Sequence, residues 1–283
     1  MTVLSPQSNR AATRLRVAVL QTAPVLGNVD ANLHIIEELT ESVSHADVVL
    51  TCELSLSGLP FHPEQTPTAL AVDDARLRHL GEIGPAVSVG IVESGDRLPY
   101  DSALLIGENT SVQRKLHPVS YAPWNEHTIF EPGTDLTQSQ VRGVPISTLI
   151  CNDAWHPVMP WLAVHRGAEV LLIPAGSMDT SGRSSEKSWD VILTHTARIL
   201  QCFVVFANRV GEQGETTFWG GSRIVDPMGT VLVRAGAGQE TIQADLDLAG
   251  LRRLRREVPL LKEMRVELVQ SLLSELPDGD DRV

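Results

Sequence analysis

The chain has 283 residues, 42% hydrophobic and 20% charged, the balance of a soluble globular protein long enough for a substantial core. A net charge of −12 argues against a surface built for nucleic acid or an anionic membrane, either of which needs clustered positive charge. Three scattered cysteines (Cys52, Cys151 and Cys202) exclude a disulfide framework or a zinc ribbon. No apolar run reaches the ~18 residues of a membrane span, and the N-terminal MTVLSPQSNRAATR lacks the apolar core of a signal peptide. A cytoplasmic, reducing setting is expected.

Residues 1–14 are polar and aperiodic and read as a flexible tail. Residues 15–273 read as one domain, without repeats or a low-complexity linker, and 274–283 as a C-terminal tail. Leu15 to Leu20 (LRVAVL) is the first expected strand. A helix is expected over Asp30 to Ser44 from the spacing of Leu33, Ile36, Leu39 and Val43, with Asp30 as its N-cap. Asp47 to Leu50 returns as a strand and runs into Glu53. A carboxylate at a strand tip among apolar residues is partly desolvated, which suits it to general-base work.

Asp73 to Leu80 is a short helix candidate, and Ala86 to Val92 with Asp101 to Gly107 forms an expected hairpin. Ser111 begins a further strand that ends at Lys115. Only three of the 23 basic residues are lysine, and lysine is a compact point charge that arginine cannot replace. After it comes a long irregular stretch, Leu116 to Gly133, carrying Tyr121, Trp124 and Glu126; loops of that length in a compact domain are usually functional.

The apolar run Val144 to Ile150 leads straight into Cys151, followed by polar Asn152 and Asp153. This is the pattern of a buried strand that ends at a turn, placing a thiol beside backbone N–H donors. Helix and strand patterns then alternate: Val158 to Arg166, Ala168 to Pro174, Ser184 to Gln201 and Cys202 to Ala207. A hairpin is expected from Gly220 to Val233, a last strand at Thr241 to Leu246, and helix over Leu248 to Leu273, broken at Pro259. Arg252, Arg253, Arg255 and Arg256 read as a solvated helix face or a subunit contact. Cys202, inside an apolar run, reads as packing.

Glu53, Lys115 and Cys151 each stand where a strand gives way to a loop. Together they support a coherent chemistry: a carboxylate takes the thiol proton, an ammonium stabilises the thiolate and later an oxyanion, and the sulfur forms a thioester. On this reading Cys151 alone of the three cysteines carries thiolate character. A Cys–His arrangement with His117 or His156 remains an alternative on spacing alone. No metal site is expected, because no HxxxH or Cys–His cluster is present.

Several ordered motifs make the chain resemble the nitrilase, or carbon–nitrogen hydrolase, superfamily. They are ELSLSG with Glu53, RKLH with Lys115, LICNDAWHP with Cys151, RGAEVLLIPAGS, ANRVG and FWGGSRIVDPMG. The resemblance runs from about Leu15 to Val269. It implies an α/β fold, a four-layer αββα sandwich, with a Glu53–Lys115–Cys151 triad and Glu126 as a second active-site glutamate. It further implies the Asn152 backbone N–H and Lys115 as oxyanion donors, no cofactor, and a homodimer or larger homo-oligomer. Leu59, Tyr121, Trp124, Asp153, Trp155 and Ser177 are candidate pocket residues.

The implied activity is hydrolysis of a small linear amide or N-carbamoyl amine through a thioester. Ala154 and Trp155 stand where carbamoylases of amino acids carry arginine, and Asn152-Asp153 departs from the Trp-Glu of nitrilases. The chain past residue 273 is too short for the synthetase domain that accompanies related glutaminase domains. Alternatives are a nitrilase, an acyl-transferring amide synthase, or a non-catalytic interaction module on the same fold.

Overall fold

The computed structural model describes residues 12–122, 124–179 and 185–276. In chain order its first half comprises strand β1 (Arg14–Gln21), helix α1 (Val29–Ser42), and strands β2 (Val48–Thr51), β3 (Ala86–Glu93), β4 (Tyr100–Ile106) and β5 (Ser111–Arg114). The second half begins with β6 (Gln138–Val141), β7 (Val144–Thr148), α2 (Val158–His165), β8 (Val170–Ala175), α3 (Ser185–Leu200) and β9 (Phe203–Asn208). It ends with β10 (Val210–Gln213), β11 (Thr216–Trp219), β12 (Arg223–Val225), β13 (Val231–Arg234), β14 (Glu240–Asp247), α4 (Leu248–Glu257) and α5 (Val266–Leu273).

The strands form two six-stranded sheets, ordered β14-β1-β2-β3-β4-β5 and β13-β12-β9-β8-β7-β6, and β10 and β11 form a separate ribbon. Strand β1 shows why the sheets stack. Its Val17 and Val19 join Val144, Ile146, Leu172 and Val205 of the second sheet, while Ala18 and Leu20 pack with Leu33 and Ile36 of α1. Period-2 alternation in a strand with both faces covered yields a continuous apolar run. On the far side of the second sheet, Leu171 and Ile173 pack with Ala163 of α2 and with Trp189 and Leu193 of α3. The result is four layers, helix–sheet–sheet–helix.

Each sheet has three parallel central strands, β1-β2-β3 and β7-β8-β9. Two antiparallel steps, β3 to β4 and β4 to β5, restore the direction of β3 in β5. The C-terminal ends of β2, β5, β7 and β8 lead into Glu53, Lys115, Cys151 and Gly176, so the topology carries these residues toward the carboxyl rim, where open α/β sheets bind ligands.

Several expectations are corrected. The N-cap of α1 is Asn28, whose Oδ1 accepts from the Ala31 N–H at 3.3 Å; Asp30 sits in the first turn, where its charge favours the helix dipole. Ala75–Glu82 is a 3-10 helix capped by Asp74. β6 escaped notice because it is polar, as an edge strand can be, and the β10–β11 ribbon because it is short and half-exposed. The arginines of α4 are not all solvated. Arg252 grips Glu169 with two bonds of 2.8 and 2.7 Å, and Arg255 donates to the Gln201 and Ala168 carbonyls, fastening α4 to the second sheet. Of the expected tails, residues 1–11 and 277–283 lie outside the described residues, as does Ser184 at the start of the fourth expected helix.

Candidate active site

Lys115 is buried, and its ammonium is gripped from two sides. Nζ lies 2.6 Å from Glu53 Oε1 and 2.6 Å from Glu126 Oε2. A third carboxyl, that of Asp101, stands 3.6 Å away. All four side chains are at most 2% exposed. Burial works to strip the proton from Lys115, but Glu126, Glu53 and Asp101 outweigh it and hold the ammonium well above its ordinary pKa. The other oxygen of Glu53, Oε2, accepts the Gly176 N–H at 2.7 Å, which ties the first sheet's carboxylate to the second sheet. Glu126 opens a one-turn 3-10 helix in the long loop, and its Oε2 also accepts the Val119 N–H at 2.8 Å.

Cys151 begins the 3-10 turn Cys151–Trp155 with φ at +43°. A left-handed conformation costs a non-glycine residue about 1–3 kcal/mol and persists where its surroundings over-determine it. Leu54, next to Glu53, has the same strained geometry at φ +47°. Both turns leave strand tips on the same rim. The Cys151 sulfur feels Glu53, Lys115, Glu126 and the Gly176 N–H.

Burial pushes the Cys151 thiol well above its ordinary value, and Glu53 adds to the rise; Lys115 opposes it without prevailing. A base that removes the thiol proton, as the sequence reading assigns to Glu53, therefore matters all the more. Burial likewise raises Cys52 to about 11 and Cys202 to about 12, so Cys151 is set apart by its partial exposure and its neighbours.

Asp153 and Ser177 are buried and engaged in internal hydrogen bonds. The Asp153 carboxylate is fully buried and accepts from the N–H groups of Leu116, His117 and Ile150, and it contacts His117 Nδ1 at 3.0 Å. It pins the loop after Lys115 to the turn after Cys151. Asn152 adds to the clamp through Nδ2, which donates to the His117 carbonyl at 2.9 Å. Ser177 Oγ receives the Trp189 indole N–H and donates to Ser185. The His117 and His156 rings stack on one another at 4.0 Å, and His117 turns its Nδ1 to Asp153. Leu59 is buried with Phe130, Met178 and Phe218, beside the partly buried Trp124. Tyr121 meets Trp124 edge-on, and Trp155, exposed, meets Trp189 the same way.

Two contributors were missed in the sequence. Gly90 lets β3 pass under the Glu53 turn, since a Cβ there would lie 2.2 Å from the Leu54 nitrogen; a lone glycine inside a strand pattern was the available signal. Asp101 was read only as the start of a strand. Pairing Ser102 with Arg114 brings Asp101 opposite Lys115, whose N–H donates to the Asp101 carbonyl at 2.8 Å.

Residues 16–256 match the model of the carbon-nitrogen hydrolase family. The chain belongs to that family. A (R)-stereoselective amidase from Pseudomonas sp. is 29% identical over 94% of this chain and 96% of its own length. The glutamine-dependent NAD(+) synthetase of Thermotoga maritima is 29% identical over 83% of this chain, which spans only 42% of that longer protein. Among solved structures, an amidase of the nitrilase superfamily from Nesterenkonia AN1 superimposes with a TM-score of 0.76 at 25% identity, over 93% of this chain and 98% of that one. A carbon–nitrogen hydrolase superfamily protein from Xanthomonas campestris gives 0.81 at 21% identity, covering 89% and 98%, which bears on the fold alone. This carbon-nitrogen hydrolase therefore shares its architecture with amidases along almost its full length.

Among the described residues no cluster of three or more His, Cys, Asp and Glu side chains is arranged to hold a metal ion. None of the helices described there is long and apolar enough to cross a membrane.

Proposed function

We propose that this carbon-nitrogen hydrolase cleaves a small linear amide or N-carbamoyl amine through a thioester on Cys151. The observation that carries the reading is the buried network in which one ammonium, Lys115, is held by Glu53 and Glu126 beside a strained cysteine. Glu53 takes the thiol proton as sulfur attacks the carbonyl carbon. Lys115 and the Asn152 N–H hold the negative charge that forms on the carbonyl oxygen. When the tetrahedral intermediate collapses, the C–N bond breaks and the nitrogen leaves with the proton that Glu53 had taken. Water then attacks the thioester, Glu53 accepts its proton, and the C–S bond breaks to release the acid and restore the thiol. Glu126 takes no proton in this scheme; it fixes Lys115.

The amidase relative supports an amide substrate, and the synthetase relative makes glutamine a second candidate donor. The apolar residues packed with Leu59 favour a small, uncharged acyl group. Self-association as a homodimer or larger homo-oligomer belongs to the same proposal; Leu268, Leu272 and Leu273 of α5 are exposed and available for it.

The test is ammonia release from linear amides, glutamine, carbamoyl amines and nitriles, with Cys151→Ala in parallel. Activity on amides or carbamoyl compounds that vanishes in the variant supports the reading. Release from nitriles alone replaces it with a nitrilase, and no release from any of them overturns it.

A further inference from the structure

The site holds more acid than the proposed reaction uses. Glu53, Glu126 and Asp101 face a single ammonium inside the protein. With all three ionised the pocket would carry a net charge of −2, in surroundings where charge is poorly screened. Lys115 satisfies Glu53 and Glu126 at 2.6 Å each, but it stands 3.6 Å from Asp101, too far for a normal hydrogen bond. Asp101 Oδ2 is buried without a donor among the described residues. An ionised carboxylate in that position lacks the partner that burial demands, whereas a carboxylic acid needs only an acceptor. Glu53, bound to the same ammonium, supplies that acceptor, and a hydrogen bond between the two carboxyls is one of the influences that raise the Asp101 acid.

We infer that Asp101 is a positioning residue, a carboxylic acid that keeps its proton at neutral pH and donates it in a hydrogen bond to Glu53. Asp101 then orients the base without adding a second uncompensated negative charge beside the thiol. Burial first, and then the charge of Glu53, push the Asp101 acid well above the ordinary carboxylate range, in agreement with the geometry. The charged groups that face Asp101 are Glu53 from the turn after β2, Lys115 at the end of β5, and Glu126 from the long loop. The neighbouring Glu93–Arg114 pair, bonded at 2.5 Å with Ser102 on the same carboxylate, belongs to the opposite face of β4 and β5.

The placement depends on register. Asp101 and Lys115 share a face because Ser102 pairs with Arg114. A slip of one residue would turn the acid away from the site.

Infrared difference spectra of the unmodified protein against Asp101→Asn test this directly. A protonated carboxylic acid shows a C=O stretch above the carboxylate and amide bands. At neutral pH the unmodified protein is expected to show such a band, lost in Asp101→Asn and bleached in the unmodified protein at alkaline pH. Absence of the band, or its persistence in the variant, overturns the inference. Absence of any such band from the unmodified protein at neutral pH overturns the inference even if the variant fails to fold.

The inference rests on the proposed role of Glu53 as base only for its effect on rate; the spectrum needs no substrate, so a protein that hydrolyses no amide still tests it. With the best amide of the panel, ionisation of Asp101 is expected to depress kcat/KM on the alkaline side. Asp101→Asn is expected to keep kcat/KM within about tenfold at neutral pH and to lose that alkaline decline. Coincident alkaline limbs in the two proteins would remove Asp101 from the positioning of Glu53.

Discussion

At the scale of single residues, the site turns on how charge is held without water. Lys115 is fully buried, and the three carboxyls that surround it keep it charged. Lys115→Arg preserves the charge but puts a planar fork where a compact ammonium fits between two carboxylates 2.6 Å away. Amide turnover in that variant is expected to fall by about 10²-fold or more, the loss typical of one oxyanion donor, while circular dichroism stays native. Near-normal ammonia release would remove Lys115 from the chemistry. Cys151 starts as a thiol, so its reactivity depends on a base. Iodoacetamide is expected to label Cys151 before the fully buried Cys52 and Cys202. Glu53→Gln should slow that labelling at least tenfold near pH 7, and the residual rate should climb about tenfold per pH unit, following the thiolate fraction below the thiol's raised pKa. Peptide mapping that finds equal labelling of all three cysteines, or a pH-independent rate, would contradict this account. Motif and spacing singled out Glu53, Lys115 and Cys151, and the family resemblance added Glu126; the structure brings Glu53 and Glu126 onto the Lys115 ammonium. The upward pull of burial on the Cys151 thiol was not legible, because it depends on residues distant in the chain.

At the scale of elements, the site is assembled by turns that follow strands, and Asp153 is the pin between two of them. Its carboxylate takes up three N–H groups on both sides of the junction. Asp153→Ala leaves those donors buried and unpaired, at a cost of about 2–4 kcal/mol. The melting temperature should then fall by on the order of 10 °C. Turnover of the folded variant should also drop, because the Lys115 loop and the Cys151 turn lose their common anchor. A thermal melt and an ammonia-release assay on one preparation check both, and an unchanged melt would show the pin to be dispensable. The sequence displayed most of these elements because their apolar residues keep a period of 2 or 3.6. Strand β6 and the β10–β11 ribbon were hidden, because polar edges are compatible with loop and strand alike.

At the scale of the whole molecule, burying acids to build a site couples function to stability. Asp101 has a raised pKa in the folded protein, so between the ordinary carboxylate pKa and that raised value the folded state binds a proton that the unfolded chain lacks. Stability from this group is therefore greatest at low pH and declines as pH rises through that window, by at most about 1.4 kcal/mol per pH unit. Asp101→Asn removes the proton uptake. The variant's melting temperature, measured against the unmodified protein from pH 5 to 8, is expected to gain on it steadily as pH rises. Parallel curves would place Asp101 among the ordinary, ionised carboxylates.

The sequence by itself determined the alternation of strands and helices, the family, and the residue types of the site, because apolar periodicity and residue spacing are local properties of the chain. Tertiary structure alone decided which of these groups meet and how deeply each is buried. It put Asp101 opposite Lys115 through one register, engaged Asp153 and Ser177 in buried hydrogen bonds, and turned α4 arginines from a solvated face into ties to the second sheet. The physical reason is that ionisation and hydrogen-bond satisfaction depend on burial and on partners far apart in the chain, such as Glu53 and Gly176, 123 positions apart, which only the folded chain brings together.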